Sequence, residues 1–140
     1  MRRTILLITM VTVMLVVAAG VALAVSGSFT GTNKGETING SSGDDKIAGG
    51  GGNDTVSGAG GNDNLFSDQG EDTLNGNGGD DFLNAADNIS GNDKVNGGND
   101  NDTCVVDEGD QVFNPNKDTF VAASASDTSL GSCETLVVVS

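Results

Sequence analysis

Between residues 31 and 105 the chain repeats every nine residues, and each repeat offers one apolar side chain at its eighth place. The units are GTNKGETIN (31–39), GSSGDDKIA (40–48), GGGGNDTVS (49–57), GAGGNDNLF (58–66), SDQGEDTLN (67–75), GNGGDDFLN (76–84), NISGNDKVN (88–96) and GGNDNDTCV (97–105). Ala85-Ala86-Asp87 stands between the sixth unit and the seventh. Four columns stay in phase. The sixth place is Asp in seven units and Glu36 in the first, and the eighth is Ile, Val or Leu in seven and Cys104 in the last. The first and fourth places are each Gly in six units. One apolar residue in nine cannot build the stripe of an amphipathic helix, which needs about three to four in every two turns. Gly, Asn and Asp instead supply places that tolerate positive φ, as tight turns require. An apolar residue held in phase at the eighth place, with polar residues on both sides in four of the eight units, fits a very short strand with one side chain facing inward. The expected inward row is Ile38, Ile47, Val56, Leu65, Leu74, Leu83, Val95 and Cys104.

That row makes a thin core. One aliphatic side chain per nine residues stabilises far less than ordering the nine costs. Charge adds to the difficulty. The 140 residues suffice for one domain and carry a formal charge of −14, with no His, Trp or Tyr. Nucleic acid is excluded as a partner, because phosphate binding needs clustered Lys and Arg. Without His there is neither a Ser–His–Asp triad nor an imidazole metal ligand. No Gly cluster is followed by Lys and Ser/Thr at the spacing of a phosphate-binding loop. Paired acids such as Asp44/Asp45 and Asp80/Asp81 recur along the repeats in a chain with no Trp or Tyr to hold a sugar, so they read as cation ligands and not as an enzyme's acid and base. Such a chain either stays unfolded or is neutralised by cations.

The first 24 residues read as an export signal. Met1-Arg2-Arg3 is a short basic start, residues 5–25 are almost unbroken apolar, and Ala22-Leu23-Ala24 is a small-x-small cleavage site. The alternative is a retained membrane anchor, since the run is long enough to span a bilayer. Membrane association is expected only if the segment is not cleaved. Either way the rest of the chain is expected to be secreted or extracellular, where disulfides persist. Without Arg2 and Arg3, the 20 acids face only four lysines.

The eight segments resemble the GGxGxDxUx nonapeptide of the RTX, or haemolysin-type calcium-binding, proteins. The resemblance covers about two-thirds of the chain beyond residue 24. It implies an all-β fold, a right-handed parallel β-roll in which each nonapeptide supplies a six-residue turn and a short strand. Two nonapeptides make one coil, giving about four coils. It also implies calcium, a hard cation that takes about 6–8 oxygen ligands. Binding only the folded form makes the binding energy available to folding.

With 18 residues per coil, the sixth-place acids form two rows: Asp45, Asp63 and Asp81 on one turn face, and Glu36, Asp54 and Asp72 on the other. Beyond the three extra residues the rows continue as Asp102 and Asp93. The resemblance assigns Asp45, Asp54, Asp63, Asp72, Asp81, Asp93 and Asp102 as metal ligands, each ion lying between neighbouring coils and completed by turn carbonyls. Adjacent pairs give about six slots. Three departures weaken the pattern. Glu36 is one methylene longer, and Lys34-Gly35 precedes it. The unit at 67–75 begins Ser67-Asp68 in place of Gly-Gly, so its turn is expected to depart from the pattern. Ala85-Ala86-Asp87 is expected to bulge a coil and disrupt the slots beside it.

Past Val105 the phase is lost, as a solenoid's end requires of its closing segment. Two cysteines in an exported chain favour one disulfide, Cys104–Cys133. The run from Asp102 to Val112 resembles the cysteine-containing end unit of some secreted members of the family, with residues 114–131 looking inserted before the second Cys-Glu. Asp107, Glu108 and Asp110 are candidates for one further ion. Asn114-Pro115-Asn116-Lys117-Asp118 has the spacing of a helix-loop-helix calcium loop but lacks its Gly and its final Glu. The expected organisation is a signal at 1–24, a lead-in at 25–30, the β-roll at 31–105 and a cap at 106–140. The reading is a secreted calcium-binding protein that is not an enzyme. Its alternative is a cell-surface adhesion or structural module that calcium only stiffens, using outward residues such as Phe66 and Phe82. The sequence names no protein or cell-surface partner.

Overall fold

The computed structural model describes residues 26–89, 91–115, 119–124 and 131–140. The signal expected at 1–24 lies outside them. Each nonapeptide yields one strand that starts at its seventh place, three residues long in five units and five or six in the other three, and alternate units fall on opposite sheets. The strands are β1 (Ser28–Thr30), β2 (Thr37–Asn39), β3 (Lys46–Ala48), β4 (Thr55–Ser57), β5 (Asn64–Phe66), β6 (Thr73–Gly78), β7 (Phe82–Asn84), β8 (Lys94–Asn99), β9 (Thr103–Asp107), β10 (Gln111–Asn114), β11 (Thr119–Ala122) and β12 (Thr135–Val139). One sheet runs β1-β3-β5-β7-β9-β12 and the other β11-β10-β8-β6-β4-β2. Every neighbouring pair is parallel except the β10–β11 hairpin. The molecule is a parallel β-solenoid of about five turns.

Register follows the sequence period. Ile47 lies against Leu65, Leu65 against Leu83, and Val56 against Leu74. The expected inward row is the core: Ile47, Val56, Leu65, Leu74, Leu83, Val95 and Cys104 are fully buried. Ile38 is only partly buried, because its strand is the edge of its sheet.

The roll is one strand longer at each end than the eight units. Phe29 in β1 pairs in register with Ile47, and Val112 in β10 with Val95. Both strands keep the x-apolar-x triplet of the repeat without the glycine-rich turn that marks it in sequence. Four coils therefore become about five. The cap then divides. On one sheet β11 folds back on β10, and on the other β12 adds a parallel strand with Leu136 against Cys104. The Cys104–Cys133 disulfide, with Cα atoms 5.8 Å apart, ties that last strand to the roll.

The three extra residues fall inside a turn. Ala85 is fully buried, and its N–H bonds the Val105 carbonyl as Ser67 N–H bonds that of Asn84 one coil earlier. Ala85 thus takes the first place of the longer unit, and the surplus swells its turn. Asp107 Oδ2 holds that turn by accepting the N–H groups of Asp87 and Asn88. On the outer face of the β3–β5–β7 sheet, the Phe66 and Phe82 rings meet at 5.9 Å, with Lys46 Nζ 5.8 Å from the Phe66 centroid. No helix among the described residues is long and apolar enough to cross a membrane.

Candidate metal centre

Strand alternation carries more than the apolar row inward. From the sixth place of one unit to the first of the next, residues alternate between interior and surface. Asp63 and Leu65 point in, as does Ser67, while Asn64 and Phe66 lie outside. The interior therefore holds an acidic column and a small-residue column beside the aliphatic one. The site candidates Asp45, Asp54, Asp63, Asp72, Asp81, Asp93 and Asp102 are all buried, none more than 3% exposed.

Each carboxylate spends one oxygen on the coil before it. Asp63 Oδ1 accepts the Asp45 N–H at 2.7 Å, Asp81 Oδ1 that of Asp63 at 2.8 Å, and Asp102 Oδ1 that of Asp81 at 2.9 Å. On the opposite turn face, Asp54 serves Glu36 at 2.8 Å, Asp72 serves Asp54 at 2.7 Å, and Asp93 serves Asp72 at 2.8 Å. Both columns pass the three-residue insertion unbroken. The surplus is looped into the turn and leaves the strands in register, so the hydrogen-bonded columns are not interrupted there.

The other oxygen is left over. Oδ2 of Asp54, Asp63, Asp72, Asp81, Asp93 and Asp102 is buried without a hydrogen-bond partner. Asp45 differs, since Ser41 donates both its N–H and its hydroxyl to Asp45 Oδ2. An unpartnered buried carboxylate oxygen is costly in a metal-free chain. Burial pushes the Asp81 and Asp93 carboxyls up to about 7, and Asp102 up to about 6. The N–H bonds oppose that rise, and neighbouring carboxylates add to it. Asp54, Asp63 and Asp72 are raised for the same leading reason.

First-place glycines leave room for these oxygens. A Cβ on Gly49 would come within 2.7 Å of Asp54 Oδ2, and one on Gly58 would clash with Asp63 Oδ2 and lie 2.9 Å from the Gly76 carbonyl. Carboxylate oxygen and next-coil carbonyl thus border the same space, which only a residue without Cβ keeps open. Positive φ at the second and fourth places shapes the turns, as at Gly50 and Gly52 or Ala59 and Gly61. Asp68 and Gly70 share that geometry, so the unit opening Ser67-Asp68 keeps its turn. A second ladder runs the other way at the fifth place, where Asp44 Oδ1 accepts the Asn62 N–H and Asn62 Oδ1 that of Asp80.

The donor set suits a hard divalent cation. It offers carboxylate and carbonyl oxygens, and both cysteines are in the disulfide. Among the described residues no three acids or thiols gather in one place. Glu36 stands apart. It is partly exposed and turns to its own loop, accepting the Thr32 N–H at 2.6 Å and hydroxyl at 2.7 Å. The Thr32 hydroxyl, then its N–H, hold that carboxyl below the ordinary range. Asp107, Glu108 and Asp110 do not gather into a group of three, and Asp107 and Asp110 accept backbone N–H groups.

Two column members escaped the nonapeptide alignment. Asp110 Oδ1 accepts the Asp93 N–H at 3.2 Å, and Glu134 Oε2 accepts the Asp102 N–H at 2.8 Å. The signal was an acid two places before an inward aliphatic, in Asp110-Gln111-Val112 and Glu134-Thr135-Leu136, without the glycine turn.

Comparison with known proteins agrees with this geometry. Residues 30–65, 57–88 and 90–110 match the family model of the RTX calcium-binding nonapeptide repeat (4 copies). These segments span more than half of the chain. No curated protein and no solved structure matches it.

Proposed function

The chain belongs to the RTX calcium-binding nonapeptide repeat family, and from that premise we propose a secreted protein whose folding is coupled to calcium held between its stacked turns. The observation that carries this reading is the run of six buried Asp residues, each with one oxygen committed to the adjacent coil and one without a partner. Asp54, Asp63, Asp72, Asp81, Asp93 and Asp102 are the side-chain ligands, and Asp45, whose Oδ2 is taken up by Ser41, is the weakest of the seven candidates. A bound calcium supplies positive charge where burial otherwise disfavours the carboxylates. The residues themselves hold the coils in register through Oδ1, present Oδ2 to the interior, and keep the space beside it open with glycine. Because coils share carboxylates, each occupied slot braces the next, and binding is cooperative.

Export rests on the Arg2-Arg3 start, the apolar run and Ala22-Leu23-Ala24, and is supported by the Cys104–Cys133 disulfide. Calorimetric titration of the protein from residue 25 with calcium and with magnesium, read beside far-UV circular dichroism, tests the whole reading. Several calcium equivalents, a gain of β signal on binding, and weaker response to magnesium are expected. A coil spectrum at saturating calcium, or full compactness in chelator, overturns it.

A further inference from the structure

We infer that Glu134 completes a terminal calcium slot over Asp102, a site formed by the disulfide-held end of the chain and not by a nonapeptide. The inference rests on the calcium reading above and extends it to one more ion. Asp102 is 1% exposed, and its Oδ2 has no partner, yet no further repeat follows that would face it. The chain instead returns after residue 131. Ser132 takes the first place over Gly97, whose N–H donates to Ser132 Oγ at 2.9 Å. A Cβ on Gly97 would clash with both the Ser132 carbonyl oxygen and Asp102 Oδ2, so these two oxygens border one small space. In the repeats a next-coil carbonyl and a sixth-place Oδ2 border the same space beside Gly58 and Gly76.

Glu134 then takes the sixth place. Its Oε2 accepts the Asp102 N–H at 2.8 Å, as each Asp does for the coil before it. Only Cys133 separates Ser132 from Glu134, where a repeat has four residues, and its bond to Cys104 holds the shortened turn against the core. The other column ends differently. Asp110 Oδ1 accepts the Asp93 N–H and Oδ2 accepts the Asp107 N–H at 2.8 Å, so both its oxygens are spent on backbone. Glu134 is exposed and commits only Oε2 to the Asp102 backbone. One column is closed by hydrogen bonds, and the other is left with a carboxylate oxygen for a cation.

Glu134→Gln separates ligation from capping, because the amide oxygen still accepts the Asp102 N–H while the charge is lost. Calcium equivalents are counted by equilibrium dialysis on the disulfide-intact protein, with Glu71→Gln as the charge-matched control and Glu134→Asp as the conservative variant. Melting in chelator is measured for each. Glu134→Gln is expected to lose about one equivalent, or to weaken one at least about tenfold, with its chelator melting unchanged. Glu134→Asp and Glu71→Gln are expected to keep the full count. Equal counts and affinities for Glu134→Gln and the parent overturn the inference alone. A fall in chelator melting together with loss of every equivalent assigns Glu134 a purely structural role and also overturns it. A parent that binds no calcium overturns both this inference and the reading beneath it.

Discussion

Asp63 reaches back one full coil: its Oδ1 accepts the Asp45 backbone N–H at 2.7 Å, and its Oδ2 is left buried without a partner. The carboxylate therefore has two tasks that substitution can separate. In Asp63→Ala the Asp45 N–H loses its acceptor, which costs about 1–3 kcal/mol without any metal, and calcium affinity falls as well. Asp63→Asn keeps an acceptor for the Asp45 N–H and removes the buried charge. It is expected to melt in chelator at or above the parent temperature while binding calcium more weakly. Parallel melting curves and titrations check this, and an Asn variant that binds calcium like the parent contradicts it.

The metal-free roll is expected to gain stability as pH falls from about 7 toward about 4. Folding raises the carboxyls of Asp81 and Asp93 to about 7 and of Asp102 to about 6, against 3.8 for the ordinary group. In that window the folded state binds more protons than the unfolded one, so stability drops as pH rises. Calcium needs the same groups ionised, so with the ion present the trend reverses. Thermal melts at about pH 5 and about pH 7.5, on resin-stripped and calcium-loaded protein, read both slopes.

Reduction of Cys104–Cys133 is expected to lower stability with calcium present. The bond closes a loop across a separation of 29 residues. Chain entropy alone assigns such a loop about 3 to 4 kcal/mol. The melting temperature before and after reductant, with thiols counted, measures the loss. An unchanged transition in fully reduced protein counts against it.

Glycine at the first place is expected to be irreplaceable where glycine elsewhere is not. A Cβ on Gly58 would drive into Asp63 Oδ2 and press on the Gly76 carbonyl, whereas one on Gly78 meets nothing within 4 Å. Gly58→Ala should cost about 1–3 kcal/mol and weaken calcium binding. Gly78→Ala should leave both nearly unchanged. Chemical denaturation of the pair in calcium distinguishes them, and equal losses would show that the space beside Asp63 is not reserved.

The parallel roll and the stacking of acids 18 residues apart came with the family resemblance, whereas the nine-residue period by itself determined the short strands and the inward aliphatic row from Ile38 to Cys104. Those are properties of each unit: one apolar side chain, turn-forming residues and a two-residue alternation fix a strand and its facing without reference to distant partners. The two terminal strands were harder to see, because Ser28–Thr30 and Gln111–Asn114 keep the strand triplet and drop the glycine turn. Only the tertiary structure decided that the Asp side chains lie inside, that each caps the coil before it, and that the insertion swells a turn while the columns pass it intact. It alone placed Glu134 over Asp102, 32 residues away. The reason is physical. Whether a carboxylate oxygen is satisfied depends on a backbone N–H one coil distant, and no local pattern records what the fold brings there.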